Sequence, residues 1–438
     1  MKLWDKGQPL DKRIEDFTVG NDRILDLQLA KFDIQGSKAH TQMLESIGMI
    51  TKEEHDSLHK ALDKLSETVE AGEFVIEDGI EDVHSQVELI LTRDLGDIGK
   101  KIHLGRSRND QVLLDLRLFF RAKLTELCTS LESTIQGLIS GARNHGDILM
   151  PGYTHMQVGM VSSFGMWFSG FAEAFTDDMA YIQSTIESIN RNPLGTAAGY
   201  GSSIPLDREM TTNILNFEGL CLNPINAQIG RGKTELMVAN CLSSVAITMN
   251  KMAMDLCLYS NENFRFFSLP DKFTTGSSIM PHKKNPDVFE LIRAQSNLLM
   301  SLPAQVNGVI SNLTTGYHRD FQILKDLIFP AIQKCNEMLD LITLSMKELI
   351  VNEVDLLEDK YKYLFSVELV NNHVKEGMSF REAYKLIGKM IDEGSYVPST
   401  DIHHTHLGSI GNLGIELLED RLAELSHKTS EYSSLFQK

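Results

Sequence analysis

Apolar positions recur at steps of three and four through the middle of the chain. One stripe is Leu113, Leu116, Phe120, Leu124, Leu127, Leu131, Ile135 and Leu138. A second runs Phe164, Phe168, Phe171, Phe175, Met179, Ile182, Ile186 and Ile189, and a third Val238, Leu242, Val245, Met249, Met252, Leu256 and Tyr259. The fourth is Ile328, Ile332, Cys335, Leu339, Ile342, Met346 and Leu349. Each is sustained for about three turns or more, which predicts long helices with one apolar seam. A less regular helix is predicted from Val288 to about Leu302. Five such helices pack as a bundle with small crossing angles. Alternation of period two is absent, so no sizeable sheet is expected and the fold class is all-α.

The breaks organise the rest. Asn192-Pro193-Leu194-Gly195, Pro205, Pro270 and Gly276 mark loops between helices. Thr51-x-x-Glu54 is a capping pattern that opens a helix reaching about Ala71. A small helical tail surrounds Ser379-Phe380-Arg381-Glu382-Ala383. The pattern therefore predicts an N-terminal helical domain over 1–105, a central long-helix bundle over 106–354 and a C-terminal helical domain over 355–438. No internal repeat or low-complexity linker interrupts them.

Composition narrows the class. The 438 residues are 42% hydrophobic and 23% charged, as in soluble globular proteins with ample core. Met1 to Arg13 holds no apolar run, so no signal peptide is expected, and the apolar stretches are too short to span a bilayer. Five scattered cysteines without metal-like spacing predict reduced, packed thiols in the cytoplasm. A net charge of -18 argues against nucleic-acid binding, which requires a basic face. The same charge repels a polycarboxylate, so any such substrate needs a local cluster of cations and amides.

Three polar segments supply that chemistry. His103-Leu104-Gly105-Arg106-Ser107-Arg108-Asn109-Asp110-Gln111 sets arginines, a serine and an asparagine directly before a long helix. Its N-terminal N–H groups suit a carboxylate or phosphate, although a solvated helix cap has the same composition. Gly152-Tyr153-Thr154-His155-Met156-Gln157 contains a histidine of a kind that, taken alone, is more often structural than catalytic. Thr275-Gly276-Ser277-Ser278-Ile279-Met280-Pro281-His282-Lys283-Lys284-Asn285-Pro286 reads as a mobile loop carrying cations and an amide donor. The length and specificity of Ser-Ser-x-Met-Pro-x-Lys-x-Asn-Pro set it apart from a polar linker.

That third segment resembles the signature loop of the fumarase/aspartase superfamily, and the likeness covers essentially the whole chain. Within the superfamily, four stretches are similar to argininosuccinate lyases. They are His103 to Gln111, Gly152-Tyr153-Thr154-His155, Asp33-Ile34-x-Gly36-Ser37-x-Ala39-His40 and Ser379 to Ala383. The resemblance implies cleavage of argininosuccinate to arginine and fumarate, with no metal or organic cofactor. It implies a proton taken from the carbon beside a carboxylate, leaving an aci-carboxylate that preorganised donors must stabilise.

By resemblance Ser277 is the base, activated by cations and backbone donors, with Lys283 and Asn285 stabilising the dianion and the serine oxyanion. His155 matches the active-site histidine and Glu290 the carboxylate that raises its basicity. Whether His155 protonates the leaving guanidinium or only positions substrate stays open. Ser107, Arg108, Asn109 and Thr154 match residues holding the fumarate half, and Tyr317, Gln322 and Lys325 residues gripping the arginine half. His84 matches a further site position, where a helix-surface histidine is the plainer reading. The family assembles composite sites where three subunits of a homotetramer meet. Competing readings are another superfamily lyase, such as adenylosuccinate lyase, aspartase or fumarase, and a non-catalytic crystallin-like relative.

The chain departs from the family at Val158-Gly159-Met160-Val161, at His282, at Tyr317-His318-Arg319-Asp320 and at Leu3-Trp4-Asp5-Lys6-Gly7. None of these removes a residue with an implied chemical role. Two further patterns read as decoys. Ala227-x-x-Gly230-x-Gly232-Lys233-Thr234 resembles a phosphate loop but lacks its first glycine and a preceding strand; a loop at a helix start, where Arg231 could still reach substrate, is the better reading. His403-His404-x-His406 lacks partner ligands for a metal.

Overall fold

In the computed structural model, which describes residues 11–400, 402 and 404–436, each of the four apolar stripes lies on a helix and faces inward, except that Leu349 falls just beyond the end of its helix at Met346. The helices of ten residues or more are, in chain order, α1 Ala30–Ser46, α2 Lys52–Glu70, α3 Val83–Leu95, α4 Arg108–Asn144, α5 Phe164–Ile189, α6 Lys233–Tyr259, α7 Asp287–Ile310, α8 Ile323–Met346, α9 Ser366–Lys375, α10 Phe380–Asp392 and α11 Ile415–Phe436. Among the described residues strands occur only as two-stranded pairings, so the all-α reading holds. No described helix is long and apolar enough to cross a membrane.

Local signals account for the helix starts. Thr51 and Glu54 form the reciprocal cap of α2, with Thr51 N donating to Glu54 at 3.0 Å and Glu54 N to Thr51 Oγ1 at 3.2 Å. Ser107 caps α4 and Ser379 caps α10 in the same way. The predicted end of α7 near Leu302 is wrong by two turns, because Pro303 is carried inside a helix that runs on to Ile310. Tertiary packing of Val306, which is fully buried, outweighs the lost hydrogen bond.

Helices α4 to α8 form the bundle, and α11 packs back on α4 and α5. Cross-contacts fix their directions. Arg117 of α4 donates to the carbonyl of Ile189, the last residue of α5, at 2.7 Å, so these two helices are antiparallel. Trp167 donates to Asp255 at 3.0 Å, and Thr185 meets Cys241 at 2.8 Å, so α6 opposes α5. Asn250 reaches the carbonyl of Arg293 at 3.0 Å, which sets α7 against α6. Thr134 meets Thr343 at 2.7 Å while Phe119 packs on Phe329, so α8 runs parallel to α4. The bundle thus has two ends. One carries Arg108, Ile189, Lys233, Ile310 and Ile323; the other carries Asn144, Phe164, Tyr259 and Asp287.

The residues after Asn144 contain a feature that the pattern did not predict. Leu149–Thr154 (β1) and Gln157–Ser163 (β2) form an antiparallel hairpin with a bulge between Pro151 and Tyr153. Its flanks are too short and too irregular to alternate convincingly. Gly152 sits at the bulge, where a Cβ would lie 2.9 Å from the carbonyl of Met160. Leu3 to Gly7, part of Met1 to Arg13, and His403 lie outside the described residues.

Candidate active site

At the first end, a cavity of about 140 Å³ is lined by Arg108, Asn109, His84, Tyr317, Gln322 and Lys325. These six were singled out in the sequence from three separate stretches. Ser107 stands beside them as the N-cap of α4: its Oγ accepts from Asn109 N at 3.3 Å and its own N–H donates to Asp110 at 2.8 Å. Arg108 is splayed onto the start of α3, 3.0 Å from Glu81, 3.2 Å from Asp82 and 2.7 Å from Ser85 Oγ.

Helix α1 explains why this end is built so firmly. Its Asp33-to-His40 stretch braces the loop before α4 rather than facing the cavity. Arg106 donates to Ser37 Oγ at 3.1 Å, and His40 Nε2 lies 2.7 Å from the carbonyl of Leu104. Gly36 lets α1 lie against α4: a Cβ there would come 2.6 Å from Leu114. Asp33 holds His84 Nδ1 at 2.6 Å, with Asp115 at 3.5 Å. Burial opposes a charge on this imidazole, but Asp33, Asp115 and Asp82 outweigh it and raise its pKa to about 9. His84 is therefore a buried imidazolium on the cavity wall, not a helix-surface residue. Asp33, His84 and Asp115 are also the described group closest to metal-ligand spacing. The 2.6 Å contact is that of a charge-assisted hydrogen bond and accounts for the cluster as an ion pair.

Carboxylates in this cavity were not anticipated. Lys325, only 5% exposed, lies 2.7 Å from Asp22 and 2.5 Å from Asp26. Burial disfavours its charge, and Asp26 and Asp22 overcome that and hold its pKa above the ordinary lysine value. Burial raises Asp22 to about 6, against the pull of Lys325. Arg231, reached in the sequence only through a decoy motif, also lines the cavity. Its guanidinium stacks over Phe321 at 5.2 Å and Tyr317 at 5.8 Å, and its buried Nε and Nη1 have no hydrogen-bond partner. Its Nε is 3.3 Å from Glu235. Arg319 lines the cavity too, bridging Thr18 and Gln322.

The other residues singled out in the sequence lie at the opposite end of the bundle. Thr154 and His155 are exposed at the hairpin tip, where His155 and Met156 have φ of 54° and 59°. Two successive positive φ values between paired strands mark a type I′ turn, a strained place for side chains that are not glycine. Tyr153 anchors the hairpin by packing on Tyr259 and Phe264.

The loop holding Ser277 is closed by mutual backbone hydrogen bonds between Thr275 and Asn285, at 3.3 and 2.9 Å. Within it Ser277 Oγ accepts from the backbone N–H groups of Ile279 at 3.3 Å and Met280 at 3.1 Å. Asn285 Nδ2 donates to Gly276 O at 3.4 Å, and Lys284 pairs with Asp271. Lys283 makes no side-chain hydrogen bond or ion pair with the described residues, and neither does Glu290 at the start of α7. Glu290 and His155 share this end without a hydrogen bond between them. Helix α6, with 27 residues, separates the two ends by roughly 40 Å at 1.5 Å per residue.

The comparisons agree with one another. A family model described as Lyase matches residues 5–300. Argininosuccinate lyase of Bacteroides thetaiotaomicron is 54% identical over 412 residues, covering 94% of this chain and 92% of that protein. The argininosuccinate lyase of Xanthomonas oryzae pv. oryzae is 40% identical over 391 residues, 89% of this chain and 90% of that one. Among solved structures, EDDS lyase in complex with formate matches with a TM-score of 0.73 at 21% identity, over 97% of this chain and 92% of that one. Class II fumarase from Schistosoma mansoni matches at 0.73 and 16%, over 97% and 94%. At these identities the structural matches speak to the fold alone.

Proposed function

The chain belongs to the argininosuccinate lyase family, and from that premise we propose that it cleaves argininosuccinate into L-arginine and fumarate by base-catalysed elimination. Ser277 takes the proton from the carbon beside one succinyl carboxylate. The electron pair moves into that carboxylate, then returns to form the fumarate double bond as the C–N bond breaks. A proton passes to the departing guanidinium, from His155 or from a group that His155 positions, with Glu290 as the carboxylate that orients it in the assembled site. Lys283 and Asn285 stabilise the dianion. Ser107, Arg108, Asn109 and Thr154 hold the fumarate half, while Tyr317, Gln322 and Lys325, with His84 on the same wall, hold the arginine half.

One observation carries the base assignment: the two backbone N–H groups on Ser277 Oγ. They favour the alkoxide over the hydroxyl, and Lys283, unpaired among the described residues, adds a cation that an incoming carboxylate can share.

The split of the matched residues between two bundle ends supports a composite site in a homotetramer. An apolar seam suits such an assembly: Ile247 and Met254 on α6, and Leu291 and Leu298 on α7, are spaced by seven and are 41 to 63% exposed. Five free cysteines fit a reducing cytoplasm.

The test mixes purified protein with argininosuccinate and follows fumarate by ultraviolet absorbance. Arginine and fumarate should appear together, with no turnover of adenylosuccinate, malate or aspartate. Ser277→Ala should abolish the reaction with the helical circular dichroism unchanged. Wild-type turnover in that variant would remove Ser277 as the base, and release from another substrate would overturn the substrate assignment.

A further inference from the structure

A second cavity, of about 550 Å³, opens beside the first between α4, the end of α5, residues 220–230 and the start of α6. Its lining includes Arg117, Arg191 and Lys233 and no aspartate or glutamate. In a chain of 60 acidic and 42 basic residues, a pocket with three cations and no carboxylate runs against the composition. None of the three forms an ion pair with a described residue.

Arg117 is the decisive member. It is 8% exposed, and its one side-chain hydrogen bond among the described residues goes from Nη1 to the Ile189 carbonyl at 2.7 Å. A buried guanidinium without a counter-ion is costly, and an anion entering the cavity is the available compensation. Glu235, a carboxylate within electrostatic reach of Arg117, is turned elsewhere: it accepts from Gly232 N at 2.7 Å and faces Arg231. Arg208 is held by the carbonyls of Cys221 at 2.7 Å and Leu194 at 2.9 Å, forms no ion pair with a described residue, and adds to the positive potential, although Asp110 lies within its electrostatic reach. The start of α6 contributes its own positive end at Lys233. The amides of Asn223 and Asn226 and the apolar side chains of Leu220, Ile229 and Met237 complete the walls. That volume suits an organic ligand, within the usual several hundred Å³ of small-molecule sites.

We propose that this cavity binds a small, multiply charged oxyanion, phosphate-bearing or polycarboxylate, at a site distinct from that of the elimination. Gly230 and Lys233 line this cavity while Arg231 lines the other, so the two share a wall and must be told apart by competition.

The experiment is calorimetric titration of the full-length assembled protein, at low ionic strength, with ATP, pyrophosphate and citrate in turn. At least one should bind with one site per chain, and saturating arginine plus fumarate should not displace it. Affinity should fall at least tenfold in the double variant Arg191→Glu, Lys233→Glu, neither residue belonging to the catalytic set. If that chain fails to fold, Arg191→Gln with Lys233→Gln gives the same reading with a smaller drop. Three outcomes overturn the proposal: no saturable binding of any probe, unchanged affinity in the charge variants, or displacement by arginine and fumarate. None of these readings requires turnover, so failure of the lyase assignment would leave this test intact.

Discussion

Two inactive chains should restore each other. Asn109 lies at the start of α4 and Ser277 beyond the end of α6, so about 40 Å of helix separates them within one chain. If one active site draws Asn109 from one subunit and Ser277 from another, lesions carried on different chains need not fall in the same site. Asn109→Asp is nearly isosteric, and a carboxylate in the first turn of α4 suits the helix dipole, so the fold should persist. It sets a negative charge where the proposed site takes a substrate carboxylate. Ser277→Ala removes only the proposed base. Each variant by itself should be silent. In assemblies reformed from equal amounts, half the sites receive an intact Asn109 and half of those an intact Ser277. About one quarter of wild-type activity should therefore return. The assay is fumarate absorbance after co-refolding or co-expression, with mixed composition verified by mass spectrometry of the intact assembly. A site contained within one chain would carry a lesion in every copy. No recovery in a verified mixed assembly would refute the composite site.

Lys325→Met should destabilise the protein by about 3–5 kcal/mol, because it strands Asp22 and Asp26 as buried charges. Adding Asp26→Asn should recover part of that loss in urea melts, and simple additivity would show that the pair is not coupled. His84 sets a pH dependence: its folded pKa of about 9 lies above the ordinary 6.5. Its stabilisation is thus fully present below about pH 6.5 and is lost as pH rises through 9, up to about 3 kcal/mol. Urea midpoints between pH 6 and 10 should fall more steeply in wild type than in His84→Gln, and equal slopes would contradict the imidazolium. Met156→Gly should raise stability by up to about 1 kcal/mol by relieving a positive φ in the hairpin turn; an unchanged or lowered urea midpoint would count against strain there.

The bundle was legible because burial and helical period coincide. Leu124, Leu131, Ile135, Phe175, Val245 and Ile332 recur at helical steps, and each is at most 2% exposed. The hairpin was not, because six residues on one side of a turn and seven on the other leave too little room for alternation to emerge. The seven matched residues at the first end gather at one cavity and its rim because α1 and α3 brace the segment before α4. What no local pattern carried was the direction of each helix. That direction decides that Ser277 and His155 stand at the opposite end from Arg108 and Lys325. Asp22 and Asp26 escaped notice for a different reason: a search for anion-binding groups passes over acids.

Those acids bear on the substrate. Every buried or half-buried cation of the first cavity is set against carboxylates: Lys325 against Asp22 and Asp26, Arg108 against Glu81 and Asp82, Arg231 against Glu235. Beside the Arg108 edge that takes the fumarate half, a ligand with carboxylates alone would gain nothing from the balance around Lys325 and Arg231, since each carboxylate weakens the pull of its partner. A ligand carrying both an ammonium and a carboxylate profits from it, because each of its charges finds an opposite charge already held in place. The α-amino-acid end of the arginine half is such a group. Charge balance in the first cavity, and its absence in the second, therefore point to different ligands: a zwitterion in one and a plain anion in the other.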